Sequence, residues 1–442
     1  MPPSPKIGQP PVSRPFSARR AAFELLGAVL DRQQPLDDAL ERHAAFGPGG
    51  LSVRDRGFAR LLAATVLRRL GQIDASLAAC LARPLTPKAR TIHTVLRLGA
   101  AQLLFLATPP HAAVAETVAL ATGHLAPYRA LANAVLRRLS REGAGLVAGQ
   151  DAARLNLPDW LWSSWCAAYG ESAARACAEM ILRDPPIDLS VKRDAGAWAR
   201  RLGADLLPTG SLRLFDAGLV ADLPGYQEGA WWVQDAAAAL PARLLGDVRD
   251  RIVVDLCAAP GGKTAELAAA GARVIALDQG RRRIARVEAN LARLGLAAET
   301  VVADATDWRP AAAVSHVLLD APCSATGTIR RHPDILRLKT PADVARLVLL
   351  QDRLLAAALD MLAPGGVLVY CVCSLEAAEG PERIGRLLAT GAPVARRPIA
   401  PDEVGGLGEL VSPEGDLRTL PSHLAERGGL DGFYAARLVR AR

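Results

Sequence analysis

The sequence predicts a multidomain chain: an all-α front followed by an α/β body with a Rossmann-like, mostly parallel sheet. Two observations carry this. From Ser17 to about Arg141, apolar residues recur every three or four positions, the period of a helix face. From about Val233, short apolar runs alternate with alanine-rich helical stretches, the pattern of parallel strands joined through helices. At 442 residues the chain has room for two or three separate cores.

Residues 1–16 are rich in proline and are expected to form a flexible tail. Residues 17–145 read as a helical bundle. Ala22-Phe23, Leu25-Leu26 and Val29-Leu30 repeat at helical spacing, as do Leu61-Leu62, Val66-Leu67 and Leu70. Pro84, Pro87, Pro109-Pro110 and Pro127 fall where helices would stop. Residues 146–232 are expected to be a connecting α+β subdomain without chemistry of its own. Trp160, Trp162 and Trp165 suggest helix packing there, and Ile187–Val191 alternates as a strand. Residues 233–442 form the body. Its expected strands are Ile252–Asp255, Val274–Asp278, Thr300–Ala303, Val317–Asp320 and Val367–Tyr370, with Gly432–Val439 as the last.

Charge is unevenly placed. Residues 1–150 hold 19 Lys and Arg against 9 Asp and Glu, although the whole chain carries only +8. A basic front on a near-neutral body suits a polyanionic partner such as nucleic acid. The competing reading is a basic, solvated helical surface, because only five of the 53 basic residues are lysine. No apolar stretch reaches the ~20 residues needed to cross a bilayer, and the first residues lack an apolar signal segment. Seven scattered cysteines suit a reducing, cytoplasmic setting rather than a disulfide framework.

Three motifs carry chemistry. The run Asp255-Leu-Cys257-Ala258-Ala259-Pro260-Gly261-Gly262-Lys263-Thr264 follows a strand and opens a helix. Its glycines allow close backbone approach, and the helix offers free N–H groups. It is not a phosphate-binding P-loop, because Cys257 stands where that motif requires glycine. Asp278 ends the next strand and suits a ribose with both hydroxyls free. Asp304 ends the third and could accept from an adenine amino group. Each could instead cap a helix. Acids at three successive strand ends point to a nucleoside cofactor without phosphates, for which S-adenosylmethionine is the natural candidate. The remaining motifs are Asp320-Ala-Pro-Cys323-Ser324 and Tyr370-Cys-Val-Cys373-Ser374. They place two thiols at the ends of apolar runs, about 5 Å apart if those strands are neighbours.

These motifs, with the continuation through Arg330-Arg331-His332-Pro-Asp334, resemble the RNA (cytosine-5) methyltransferase family. Asp55–Asp74, Pro110–Glu116 and Asn133–Arg138 resemble the NusB-type RNA-binding domain, and the pairing resembles the bacterial small-subunit rRNA cytosine-5 methyltransferase B group. The resemblance implies an S-adenosylmethionine-dependent methyltransferase acting on 16S ribosomal RNA or its assembly intermediate, as a cytoplasmic monomer. It also implies Cys373 as the nucleophile and Cys323 as the residue that releases the covalent adduct. Asp320 and Lys263 complete the catalytic set. Cofactor contacts fall to Cys257, Ala258, Ala259, Pro260, Gly261, Gly262, Lys263, Asp278, Arg283, Asp304 and Asp320.

No metal is expected, since Cys371-x-Cys373 lacks two further ligands. Cys371 is expected to be a buried small hydrophobe turned away from Cys373. Arg330, Arg331 and His332 are expected on a loop touching phosphates. The chain departs from the family at Val372, where threonine is usual, and at Glu379-Gly380, where a Glu-Asn pair is usual. The rival readings are the same chemistry on transfer RNA and an inactive RNA-binding module.

Overall fold

The computed structural model describes residues 17–86, 89–215 and 217–441. The tail 1–16 and Pro87 lie outside these ranges. The chain divides into two compact units, residues 1–156 and 157–442.

In the first unit the helices are α1 (Ala18–Leu30), α2 (Leu36–Arg42), α3 (Val53–Arg68), α4 (Leu70–Cys80), α5 (Arg90–Leu104), α6 (Pro110–Val118), α7 (Arg129–Ala148) and α8 (Ala152–Asn156). Ser17 caps α1 by accepting from the Arg20 amide, which satisfies one of the orphan donors of a helix start. The helical stripe in α1 is what faces inward, with Leu25, Leu26 and Val29 all buried. Helices α5 and α7 cross closely at Gly99, where an added Cβ would stand 2.6 Å from Leu136.

The second unit opens with α9 (Asp159–Tyr169) and α10 (Glu171–Ile181). A small antiparallel sheet follows, ordered β2 (Asp205–Leu206), β3 (Leu212–Leu214), β1 (Ile187–Val191), β4 (Trp231–Val233), with α11 (Ala195–Leu202) beside it. Arg213 and Asp188 form a buried ion pair on adjacent strands.

The large sheet is built from β5 (Ile252–Leu256), β6 (Arg273–Asp278), β7 (Glu299–Val302), β8 (Val314–Asp320), β9 (Leu362–Val372), β10 (Val394–Arg396), β11 (Leu417–Thr419) and β12 (Phe433–Arg440). Its order is β10-β12-β9-β8-β5-β6-β7, with β11 also pairing β12. The strands from β9 to β7 are parallel, and β12 returns antiparallel. One face packs Val253, Val274, Ala276, Leu318 and Val369 against Leu267, Val287 and Leu291. These last three belong to α13 (Gly262–Ala269) and α14 (Arg281–Leu294), which follow α12 (Leu240–Arg243). The other face packs Val254, Leu319, Tyr370 and Val372 against Leu354, Leu355 and Met361. These come from α16 (Pro341–Met361), which follows the single turn α15 (Ile335–Leu338) and precedes α17 (Pro381–Ala389). Helix α16 starts sharply because Thr340 and Asp343 cap each other's backbone and Pro341 is preset for a first turn.

The chain winds from β5 to β7 in one direction and then returns to β8 on the other side of β5. This reversal opens a crevice beyond the strand ends, where ligands bind in such sheets. Among the described residues, no helix is long and apolar enough to cross a membrane.

Candidate active site

The glycine turn is shaped by backbone that most side chains resist. Cys257 takes a left-handed φ of 62°, and Gly261 takes φ 99° where an added Cβ would press on Val287 at 3.1 Å. The turn delivers Lys263 and Thr264 into the first turn of α13. Thr264 donates to Asp255 Oδ2 at 2.6 Å. Burial pushes the Asp255 acid up to about 7, against the pull of the Thr264 hydrogen bond. Its Oδ1 is buried and finds no partner among the described residues.

Lys263 Nζ donates to Asp320 Oδ2 at 2.7 Å and lies 4.9 Å from the centre of the Phe433 ring. Burial opposes the lysine charge. The Asp320 carboxylate, with the Cys371 and Cys373 sulfurs nearby, nevertheless carries its pKa above the ordinary value.

Sheet register brings the thiols together. Strands β8 and β9 run parallel with Asp320 beside Cys371. Cys373 directly follows β9, Cys323 lies three residues past β8, and their sulfurs are 3.4 Å apart. The Cys373 hydrogen bond, then burial, raises the Cys323 thiol well above its usual range, and the Glu379 carboxylate adds to this. Cys371 corrects an expectation. It is fully buried, but residues two apart on a strand share a face, so it points to the same side as Cys373. Its thiol lies 3.5 Å from Asp320 Oδ1 as a donor.

The basic loop is also corrected. Arg330 is not available to a phosphate: it is 1% exposed and paired with Asp235 and Asp431. Arg331 is anchored by Asp431 yet still lines the cleft. His332 is half-buried beside it.

At the cofactor end, Asp278 is 2% exposed and accepts from the Gly280 amide, the Ala259 amide and Arg283. These occupy about three of its four acceptor positions. Asp304 lies two residues past the end of β7 and turns its Oδ1 onto Thr306, as a capping acid does. Both acids line a small side pocket with Cys257 and Arg283.

Several neighbours were not legible in the sequence. Glu379 is fully buried and accepts from Ser324 and Ser374, the residues that follow the two cysteines. Helix α9 braces the loop after Cys373: Ser164 and Trp165 donate to Glu376, and the Tyr169 hydroxyl donates to the Leu375 carbonyl. The sequence offers Glu379 only as the first half of a pair that departs from the family, and Trp165 only as a helix-packing residue.

The glycine turn, Lys263, Asp320 and the two sulfurs line a cleft of about 450 Å³, within the range of small-molecule sites. Asp255, Cys257, Ala258, Ala259, Pro260, Gly262, Lys263, Asp320, Cys323 and Cys373 all contribute to its wall. A cavity of about 520 Å³ in the first unit, among Phe23, Asp31, Arg42 and Thr94, has no cysteine in its lining. The residues present fit S-adenosylmethionine. The orphaned Asp255 Oδ1 can accept from its ammonium group, and the glycine turn gives its backbone room. Among the described residues, no group of His, Cys, Asp and Glu could hold a metal ion.

Comparison with known proteins places the chain in a family. Residues 242–439 match the family model "16S rRNA methyltransferase RsmB/F", and residues 17–141 match the NusB family. The chain is 36% identical to ribosomal RNA small subunit methyltransferase B of Sodalis glossinidius, over 96% of this chain and 98% of that protein. It is 37% identical to the protein of the same name from Pseudomonas putida, over 96% and 99%. A solved methyltransferase homolog from Pyrococcus horikoshii superposes with a TM-score of 0.54 at 25% identity, covering 65% of this chain and 96% of that one. With relatives this similar along almost their whole length, the chain belongs to the RsmB/F family of RNA methyltransferases and carries a NusB-family domain at its front.

Proposed function

We propose that this enzyme methylates carbon 5 of a cytosine in small-subunit ribosomal RNA through a covalent bond between Cys373 and carbon 6. The names of the relatives support the RNA class. The observation that carries the chemistry is the sulfur pair at 3.4 Å and the opposite charges on its two sides. Lys263 and Arg331 lie within the electrostatic reach of Cys373, whereas the Glu379 carboxylate acts on Cys323. The raised Cys323 thiol keeps its proton, which suits release rather than attack, since the thiolate is the nucleophilic form.

S-adenosylmethionine, when bound, supplies an electrophilic methyl group. The Cys373 thiolate adds to carbon 6, and the electrons of the 5,6 double bond make carbon 5 nucleophilic. Asp320, held by Lys263, accepts from the exocyclic amino group of the cytosine and so orients the ring for attack. After carbon 5 is methylated, its proton leaves to a base assisted by Cys323. The double bond re-forms, and the bond from sulfur to carbon 6 breaks. The target base must leave any stack to reach the cleft.

Cys323→Ala and Cys373→Ala, each incubated with ribosomal RNA and cofactor and run on a denaturing gel, test this. Cys323→Ala is expected to accumulate a slow-migrating protein–RNA adduct, and Cys373→Ala to give neither adduct nor product. The reverse pattern would exchange the roles, and methylation of transfer RNA alone would overturn the substrate.

A further inference from the structure

We propose that Glu379 is the positioning residue for the cysteine pair, holding Cys323 in place for adduct release. The proposal rests on the covalent reading above. The Glu379 side chain is completely buried, and its two oxygens take four hydrogen bonds. Oε1 accepts from the Ser324 amide at 2.8 Å and from Gln351 at 3.1 Å. Oε2 accepts from the Ser324 hydroxyl at 2.5 Å and the Ser374 hydroxyl at 2.6 Å. A carboxylate has about four acceptor positions, so all are filled. No lysine or arginine side chain bonds to it among the described residues. The carboxyl group is held by uncharged donors alone, and two of the three donor residues are those that directly follow the cysteines.

The two loops depend on this clamp unequally. Cys373 directly follows β9, which is paired on both sides by β8 and β12. It is fixed by the sheet, and Glu379 adds one bond, through Ser374. Cys323 lies three residues beyond β8 in a non-helical loop, and Glu379 grips its neighbour Ser324 twice, through amide and hydroxyl. Gln351 ties the same carboxylate to the Pro322 carbonyl from α16. Loosening Glu379 therefore frees Cys323 more than Cys373, and release suffers more than attack.

Glu379→Gln is nearly isosteric. Its carbonyl can keep the Ser324 amide, and its amide can donate to hydroxyls that rotate to accept. What changes is the direction of the hydroxyl bonds: Ser324 and Ser374 must accept from the new amide instead of donating to the carboxyl group, and Ser324 is held less firmly. In steady-state methylation of ribosomal RNA, kcat is expected to fall about 10- to 100-fold, the size of effect a small misplacement produces, and KM to fall with it because the adduct accumulates. On the denaturing gel, Glu379→Gln should accumulate adduct although Cys323 is present, as Cys323→Ala does. Ser324→Ala should do the same, whereas Ser374→Ala should not. A purely structural role would lower the melting temperature and the active fraction without shifting the balance between adduct and product. If Cys323→Ala traps adduct while neither Glu379→Gln nor Ser324→Ala does, the positioning role is wrong and the covalent reading stands. If neither Cys323→Ala nor Cys373→Ala traps adduct, the covalent reading itself fails. Should Glu379→Gln fold poorly by circular dichroism, Ser324→Ala decides by the same criterion.

Discussion

Replacing Lys263 with methionine would leave the Asp320 carboxylate in a half-closed cleft with only a thiol donor. At 2.7 Å the pair's gross attraction is about 6 kcal/mol at an effective dielectric of ~20. Desolvation offsets much of that, but removing one partner of a buried pair typically costs about 3–5 kcal/mol. The lysine side chain is 10% exposed and the aspartate 29%, so water recovers part of the loss, and about 3 kcal/mol is expected. All seven tryptophans lie between Trp160 and Trp308, inside the unit 157–442. Urea unfolding followed by tryptophan fluorescence therefore reports on this unit alone. The decisive comparison is a cycle of Lys263→Met, Asp320→Asn and the double variant. The double variant is expected to be no less stable than either single, because no unpaired charge remains. A Lys263→Met cost within about 0.5 kcal/mol of zero, or a double variant showing the sum of the two single losses, would refute the reasoning.

The buried acid Asp255 predicts a pH dependence. The folded chain holds its proton up to about pH 7, whereas the unfolded chain releases it near pH ~4, so stability falls across that interval and levels above it. The fall attributable to this group is on the order of 4 kcal/mol, and Asp255→Asn should abolish it when urea midpoints are compared between these limits. Gly327→Ala should disorder the cysteine loops, since the added Cβ would stand 1.8 Å from the Gly432 carbonyl; methyl transfer should be lost with about 1–3 kcal/mol of stability. Gly385→Ala in α17 meets nothing within 4 Å, and should stabilise by about 0.5–1 kcal/mol in the same assay. Trp165→Phe removes a donor from Glu376, whose acid is already raised by burial, and should cost about 1–3 kcal/mol in urea unfolding.

What the sequence made legible was whatever is local. Apolar runs marked β5, β6, β8 and β9 to within a few residues, and the glycine turn announced its own backbone. Both cysteines could be placed beyond strand ends because Cys373 directly follows its strand and Cys323 comes three residues after its own. The remainder depends on groups far apart in the chain. Phe433 lies under Lys263, and Asp235 and Asp431 close around Arg330 from about 100 residues to either side. No periodicity encodes such meetings. Arg330 shows the resulting error, since a basic loop reads as a phosphate contact until its buried partners are seen. Cys371 shows a different one, because the period of a strand is two and the next cysteine along it shares its face.

The brace from α9 bears on how the catalytic part may be cut from the chain. The family match begins at residue 242, and the change in sequence pattern begins near Val233, so a recombinant fragment would naturally start there. Such a fragment would lack Ser164, Trp165 and Tyr169, and the loop after Cys373 would have Glu376 exposed and unanchored on one side. The smallest portable catalytic piece therefore begins near Leu157, where the second unit itself begins.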